Sequence, residues 1–250
     1  MTWILSNLDM LGELTLVHLA LCLPAIVLSF LIALPLGWLA NRYRLSRGLL
    51  LSFCGLLYAI PSFPLLIVLP ILVGVEIRSA ANLVIALTIY GVALMVRVVA
   101  DGLAAVDTDV RQSAVAVGFS GWSAFWRVEL PLAGPVLVAG IRVVTVSTVS
   151  LATVGAIIGI QSLGSLFVDG FQRGIQAEIV SGIVLTIAVA LALDALVVGI
   201  GRLVMPWTRR QKRNSKGENH LSDGDLSGES TVSTGSSRDA STSAEPAVTA

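Results

Sequence analysis

Charge is scarce in this chain. Only 13% of its 250 residues are Asp, Glu, Lys or Arg, against about 25% in an ordinary soluble domain. Hydrophobic residues make up 55%. That balance excludes a soluble globular protein and points to a polytopic membrane protein. The few charges cancel, 16 basic against 16 acidic, so no basic surface argues for nucleic acid. No GxxxxGK[ST] loop is present, so the chain is not expected to bind ATP for hydrolysis. HExxH, GxSxG and paired Cys/His spacings are also missing. The expectation is no catalytic residue, no metal and no cofactor: a non-enzymatic subunit with no fused solute-capturing domain. The two cysteines, Cys22 and Cys54, lie in apolar runs without CxxC spacing and read as buried thiols. No Lys or Arg precedes the first apolar run, so the N-terminus does not read as a cleaved signal peptide.

What is present is a set of long apolar runs. Five are expected to span the membrane as helices: Leu14–Ala40, Leu49–Val73, Ala80–Val99, Gly134–Gly159 and Ile179–Met205. Each reaches the ~20 residues that cross hydrocarbon. The fold class is therefore an all-α integral membrane protein, with 1–13 as a short leading segment and 14–205 as the membrane domain. Pro24 and Pro35 should kink the first arm without ending it. Pro61, Pro64 and Pro70 interrupt the second, which either lines a cavity or packs tightly as a kinked helix. His18 reads as an interfacial residue, since no His or acid stands four positions on. Residues 206–250 are different material. Over 209–250, thirteen residues are Ser or Thr, none is aromatic, and six bases balance six acids. Such a segment cannot bury a core and is expected to be disordered. Its RRQKR start suits anionic membrane lipid.

The chain is organised around one polar, punctuated stretch, Asp107 to Ile141. Asp109 is a good N-cap, with Gln112 three residues on as in a capping box. Val110, Ala114 and Val117 fall on one stripe. Gly118 suits a left-handed C-cap. Ser120 caps a second short helix carrying Trp122, Phe125 and Trp126, which Pro131 should stop near Leu130. Two readings fit: an interfacial hairpin with Trp at headgroup level, or a docking loop.

This stretch resembles the cytoplasmic loop of inner-membrane subunits of ATP-binding-cassette importers. That loop reads E-A-A, three residues, G, nine residues, I, one residue, L-P. Here the register is Gln112-Ser113-Ala114, Gly118, Val128, Leu130-Pro131. Spacing matches throughout, with Gln for the leading Glu and Val for Ile. Further blocks look like the glycine betaine/carnitine/choline permease subfamily: Ile60-Pro61-Ser62, Val96-Arg97, Gly140-Ile141-Arg142 with Thr145-Val146, and Ala152 to Gly164. The resemblance covers about residues 14–205. It implies a type I importer-like permease fold and a coupling loop, 107–131, carried by Gln112, Ser113, Ala114, Gly118, Phe119, Trp122, Val128, Leu130 and Pro131. It also implies a translocation path near Pro61, Thr145, Ser147 and Thr153.

Orientation follows from basic residues. Arg42, Arg44 and Arg47 follow the first arm, Arg111 and Arg127 lie in the central loop, and Arg209, Arg210, Lys212 and Arg213 follow the fifth. The opposite side has Arg78 and Arg173. The N-terminus is expected outside, with the central loop and C-terminus cytoplasmic. Segment Gln161–Glu178 then faces outward and suits a binding-protein contact. Charges inside the arms are functional candidates. Arg97 and Asp101 stand i, i+4 and suit a pair. Arg142 lies close enough to one surface to snorkel. Asp194, the deepest charge, either pairs with Arg97 or Arg142 or meets a cationic substrate.

The resemblance implies an ATP-driven importer of a small quaternary ammonium osmoprotectant, located in the bacterial inner membrane. Five spans are too few to enclose a path, so the partners expected are a second permease subunit, two ATPase subunits and an extracytoplasmic solute-binding protein. A methionine-type amino-acid permease shares the loop and span number. A proton-coupled secondary transporter using Asp194 would need no ATPase. A non-transporting scaffold would use the loop only to bind a partner.

Overall fold

The computed structural model describes Trp3 and residues 6–206. The tail expected over 206–250, with its RRQKR start, lies outside the described residues except for Pro206. No strand occurs among the described residues. The helices are α1 (Leu8–Arg42), α2 (Arg44–Ala59), α3 (Ser62–Val73), α4 (Ala80–Ala104), α5 (Thr108–Ala116), α6 (Gly121–Ala124), α7 (Leu130–Ala152), α8 (Ser165–Arg173) and α9 (Gln176–Val204). A π-helical turn, Phe125–Glu129, joins α6 to α7, and a 3-10 turn, Thr153–Ile158, follows α7.

Among the described residues, four stretches are long and apolar enough to cross a membrane: α1, α4, Gly121–Ile158 and α9. The pair α2–α3 makes a fifth if counted as one broken span. Its two halves bend by 108°. The cause is local: a residue before proline is pushed out of helical conformation, and Ile60 and Pro61 both have extended backbone at ψ 128° and 137°. Pro64 falls in the first turn of α3, where a missing N–H costs nothing. Elsewhere proline does not break the chain. α1 runs through Pro24 and Pro35, and starts six residues before the expected Leu14.

The expected stop at Pro131 is absent. Helix continues from Gly121 through Pro131 into α7. Pro131 sits at the start of α7, a position proline favours. The π turn absorbs the irregularity, because Leu130 N–H donates to Phe125 C=O, five residues back.

Lipid gives helices no hydrophobic reason to associate, so close packing and interhelical hydrogen bonds hold them. A Cβ at Gly37 would overlap Val99 on α4, and one at Gly140 would overlap Val98. Ser29 Oγ, buried in α1, reaches the Ala25 carbonyl at 2.6 Å and the Thr88 carbonyl on α4 at 3.2 Å. Asn82 Nδ2 ties the start of α4 to the Leu66 carbonyl of α3 at 3.0 Å and to Ile77 at 2.9 Å. Two buried clusters result. Leu21, Leu66, Leu83, Leu87 and Val149 belong to one, and Leu34, Met95, Val99, Phe125 and Leu137 to the other. α9 stands at the edge, with only 11% of its most apolar window buried. His18 corrects the expectation of an interfacial residue: it is fully buried, its ring approaching the Val149 backbone without a well-formed hydrogen bond.

Candidate coupling site and broken-span cavity

The stretch 107–131 folds as helix, glycine turn, aromatic helix. Its cap is Asp107 rather than Asp109, because the Asp107 carboxylate accepts from the Asp109 N–H at 2.9 Å. Asp109 instead lies in the first turn, where negative charge suits the helix dipole. At the other end Phe119 N–H donates to Ala114 C=O at 3.0 Å, and Gly118 N–H to Val115 C=O at 2.9 Å. This is a Schellman closure, which needs a left-handed residue. Gly118 supplies it at φ 94°. Ser120 caps α6 through Ser123 N–H at 3.3 Å, as expected.

The loop is clamped to the bundle from both sides. Arg111 donates to the Leu103 carbonyl at the end of α4 and lies 3.6 Å from the Glu129 carboxylate. Trp122 and the buried Phe125 pack on Trp38 of α1, with ring centroids 5.4 and 6.0 Å apart. The loop therefore grips α1 as well as the two arms it joins in sequence. Trp38 carried no signal in the sequence, since nothing local distinguishes it from an interfacial tryptophan.

The outward face carries several exposed apolar side chains among polar ones. Ala114 is buried, but Val110 and Val117 are not, so the expected stripe does not face the bundle. Val117 is 79% exposed, Val115 65% and Trp122 54%. Gln112, Ser113 and Gly118 are exposed beside them, while Phe119, Val128, Leu130 and Pro131 are partly covered. Exposed apolar side chains on a segment this polar mark a surface built for contact.

The candidate path residues separate into two groups. Pro61 and Ser147 line a cavity of about 530 Å³ at the α2–α3 break, together with Tyr58, Tyr90 and Ser150. Thr145 is buried and bonds its own helix at Ile141, 2.8 Å. Thr153 bonds the Ser150 carbonyl at 2.7 Å. Neither lines this cavity. The two tyrosines were missed. A polar ring in the middle of an apolar arm was the available signal, because a buried Tyr hydroxyl needs a partner. Tyr90 finds one in the Ile60 carbonyl.

The intramembrane charges pair across helices. Arg97 and Asp101 do not meet, although their spacing allowed it. Asp101 pairs instead with Arg47 of α2 at 2.8 Å. Arg97 is exposed. Arg142 does more than snorkel: its guanidinium grips Asp194 through two bonds, at 2.7 and 2.8 Å. This fork joins α7 to the edge helix α9. Arg142→Ala should lower the amount of protein in the membrane, by leaving a carboxylate alone at membrane depth. The exchange Arg142→Asp with Asp194→Arg should restore part of it. Immunoblots of membrane fractions check both.

Segment Gln161–Glu178 is not a free loop. α8 occupies its middle, and Glu178 is buried at the start of α9, 3.8 Å from Arg173. A Cβ at Gly170 would press on Ile179. What stays outside is mostly polar, Gln161, Asp169, Gln172, Arg173 and Gln176, with Phe171 81% exposed among them.

Comparison with known proteins agrees with this architecture. Residues 25–210 match the family of binding-protein-dependent transport system inner membrane components. The glycine betaine/carnitine/choline transport system permease protein OpuCB of Bacillus subtilis (strain 168) is 30% identical over 76% of this chain and 86% of its own length. The osmoprotectant import permease protein OsmW of Salmonella typhimurium is 30% identical over 78% of this chain and 91% of its own. Among solved structures, a chain of the inward-facing MetNI methionine ABC transporter superposes with a TM-score of 0.70. It is 21% identical, and the match covers 80% of this chain and 98% of that one. At that identity the likeness speaks for the fold alone. The match over most of the chain, on an all-helical bundle with a broken span, places this protein in the family of binding-protein-dependent transport system inner membrane components, as a permease subunit of an ATP-binding-cassette importer.

Proposed function

We propose that this permease passes a small quaternary ammonium osmoprotectant (glycine betaine, choline or carnitine) and that 107–131 is its coupling loop. The observation that carries the coupling role is the exposure of Val115, Val117 and Trp122 around Gly118, on a segment clamped to α1, α4 and α7. In this reading the loop faces the cytoplasm, as the arginine distribution favours, and packs into a groove of a separate ATPase. Two ATPase subunits, a second permease subunit and an extracytoplasmic binding protein complete the importer. ATP closes the motor, draws the two loops together and biases the arms between inward- and outward-facing arrangements. It biases them only by its differential affinity for the two states.

The substrate class rests on relatives whose names specify glycine betaine, carnitine, choline or osmoprotectant transport. The methionine-type reading has only the weaker structural likeness behind it. A proton relay through Asp194 is disfavoured by the Arg142 fork, which already engages both carboxylate oxygens. Uptake of labelled glycine betaine should appear in cells lacking their own osmolyte importers, once this chain is expressed with the ATPase and binding protein encoded beside it. It should vanish without the ATPase. An assembled complex that moves methionine and not glycine betaine would overturn the substrate and leave the permease standing.

A further inference from the structure

The cavity at the broken span carries more than a path. A helix interrupted at membrane depth exposes backbone groups, which is tolerated only inside protein or beside a water-filled space. Here the interruption opens onto about 530 Å³, within the range of about 300–1,000 Å³ usual for small-molecule sites. Its walls differ from the lipid-facing side of α9, where Val180, Ile183, Val184, Ile187 and Leu191 are all exposed aliphatics. The cavity instead presents Tyr58, Tyr90, Ile60, Pro61, Ser147 and Ser150.

Two features define it. Among the described residues no charged side chain lines it. Tyr58 and Tyr90 meet edge to face, centroids 6.0 Å apart and planes at 82°, and Tyr58 is 47% exposed, so that ring is open to a ligand. α2 ends at the cavity and α3 begins there, so the negative end of one helix and the positive end of the next offset each other at the break. The aromatic faces remain, and these attract a cation that cannot donate hydrogen bonds. The serine hydroxyls can donate to a carboxylate on the same solute. Tyr90 is fixed by its bond to Ile60, which also holds the break in shape.

We propose that this cavity is a transient binding site, within the permease itself, for the quaternary ammonium group of the transported solute, with Tyr58 as its principal contact. The site rests on the substrate class argued above. A cation at membrane depth has lost hydration, and the ring and carbonyl dipoles replace part of it, so removing them slows passage.

The test uses the complete importer in proteoliposomes, with saturating binding protein and labelled glycine betaine. Tyr58→Leu should cut uptake about tenfold, the size of a well-desolvated cation–π contact, with the assembled complex recovered in normal amount. Tyr58→Phe, which retains the ring, should stay near wild type. Wild-type uptake by Tyr58→Leu overturns the site, and so does an equal loss in Tyr58→Phe. A wild-type importer that moves no quaternary ammonium solute removes the substrate reading itself, and the site with it. A second measurement does not depend on a variant. The chain has three tyrosines, so ¹³C-labelled rings can be resolved in a complex where only this subunit is labelled. Tetramethylammonium should shift the Tyr58 and Tyr90 signals, where sodium at equal ionic strength does not. No shift overturns the proposal.

Discussion

Gly118→Leu should reach the membrane in normal amount and carry no solute. The two halves of that result have separate causes. Gly118 is left-handed at φ 94°, and an L-residue there costs about 1–2 kcal/mol. That is tolerable for one turn in a large bundle. A Cβ at Gly118 meets nothing within 4 Å, so no neighbour in this chain forbids a side chain. A leucine would instead extend into open space, on the surface where the motor is proposed to sit. Gly118→Ala separates strain from obstruction, since it carries the same backbone penalty with little added bulk. It should retain most transport. Uptake assays beside immunoblots of the membrane fraction decide the matter, with ATPase retained by affinity pull-down as a third reading. Normal uptake by Gly118→Leu would contradict the docking role. Equal failure of Ala and Leu would point to backbone strain.

Gly164→Ala should have the opposite character, damaging the fold rather than the coupling. The added Cβ would run into the backbone of Thr153, whose carbonyl carbon and Cα lie 2.7 Å from its position. Backbone cannot swing aside as a side chain can. The contact also sits inside a small lock: Ser162 Oγ accepts from Gly164 N–H at 3.1 Å and reaches the Ala152 carbonyl at 3.4 Å. Overpacking of a well-filled site costs about 1–3 kcal/mol, and a backbone obstacle belongs at the upper end. Against the 5–15 kcal/mol that typically holds a domain together, that is a large share. A purified fluorescent fusion should lose its monodisperse peak at a temperature lower by roughly 10 °C. An unchanged melting profile would mean that the Thr153–Ile158 turn yields freely. The pair of variants is informative together, because one tests a surface and the other an interior.

Much of this molecule can be read from its letters, and most of what cannot depends on context beyond a few residues. Long apolar runs located every span, since hydropathy is a property of a segment by itself. Gly118 and Ser120 were legible because a left-handed C-cap and an N-cap are local chemistry. Pro131 was misread by applying a rule for helix interiors, when the chain places it at a helix start beside a π turn. Asp101 looked paired with Arg97 by spacing along one helix, but Arg47 from the preceding span reaches it. Val110, Ala114 and Val117 were read as one stripe, but only Ala114 is buried and the two valines are exposed. The Tyr58–Tyr90 pair depends on residues 32 positions apart, brought together by the break at Ile60–Pro61. For Asp101 and for the tyrosine pair the deciding partner came from elsewhere in the chain.

The π turn at Phe125–Glu129 has a consequence for the phase of the long helix it opens. A regular helix advances 100° per residue, so every side chain after a given point inherits the angle set before it. One wide turn offsets that inheritance by a fixed angle. Trp122 on the near side packs on Trp38, while Ser147 on the far side lines the same cavity as Tyr58 and Tyr90. Without the wide turn, seating the aromatic helix would aim the serine 25 residues away in a different direction. With it, the far end of one continuous rod is rotated by a set amount, as by a keyed joint between two shafts.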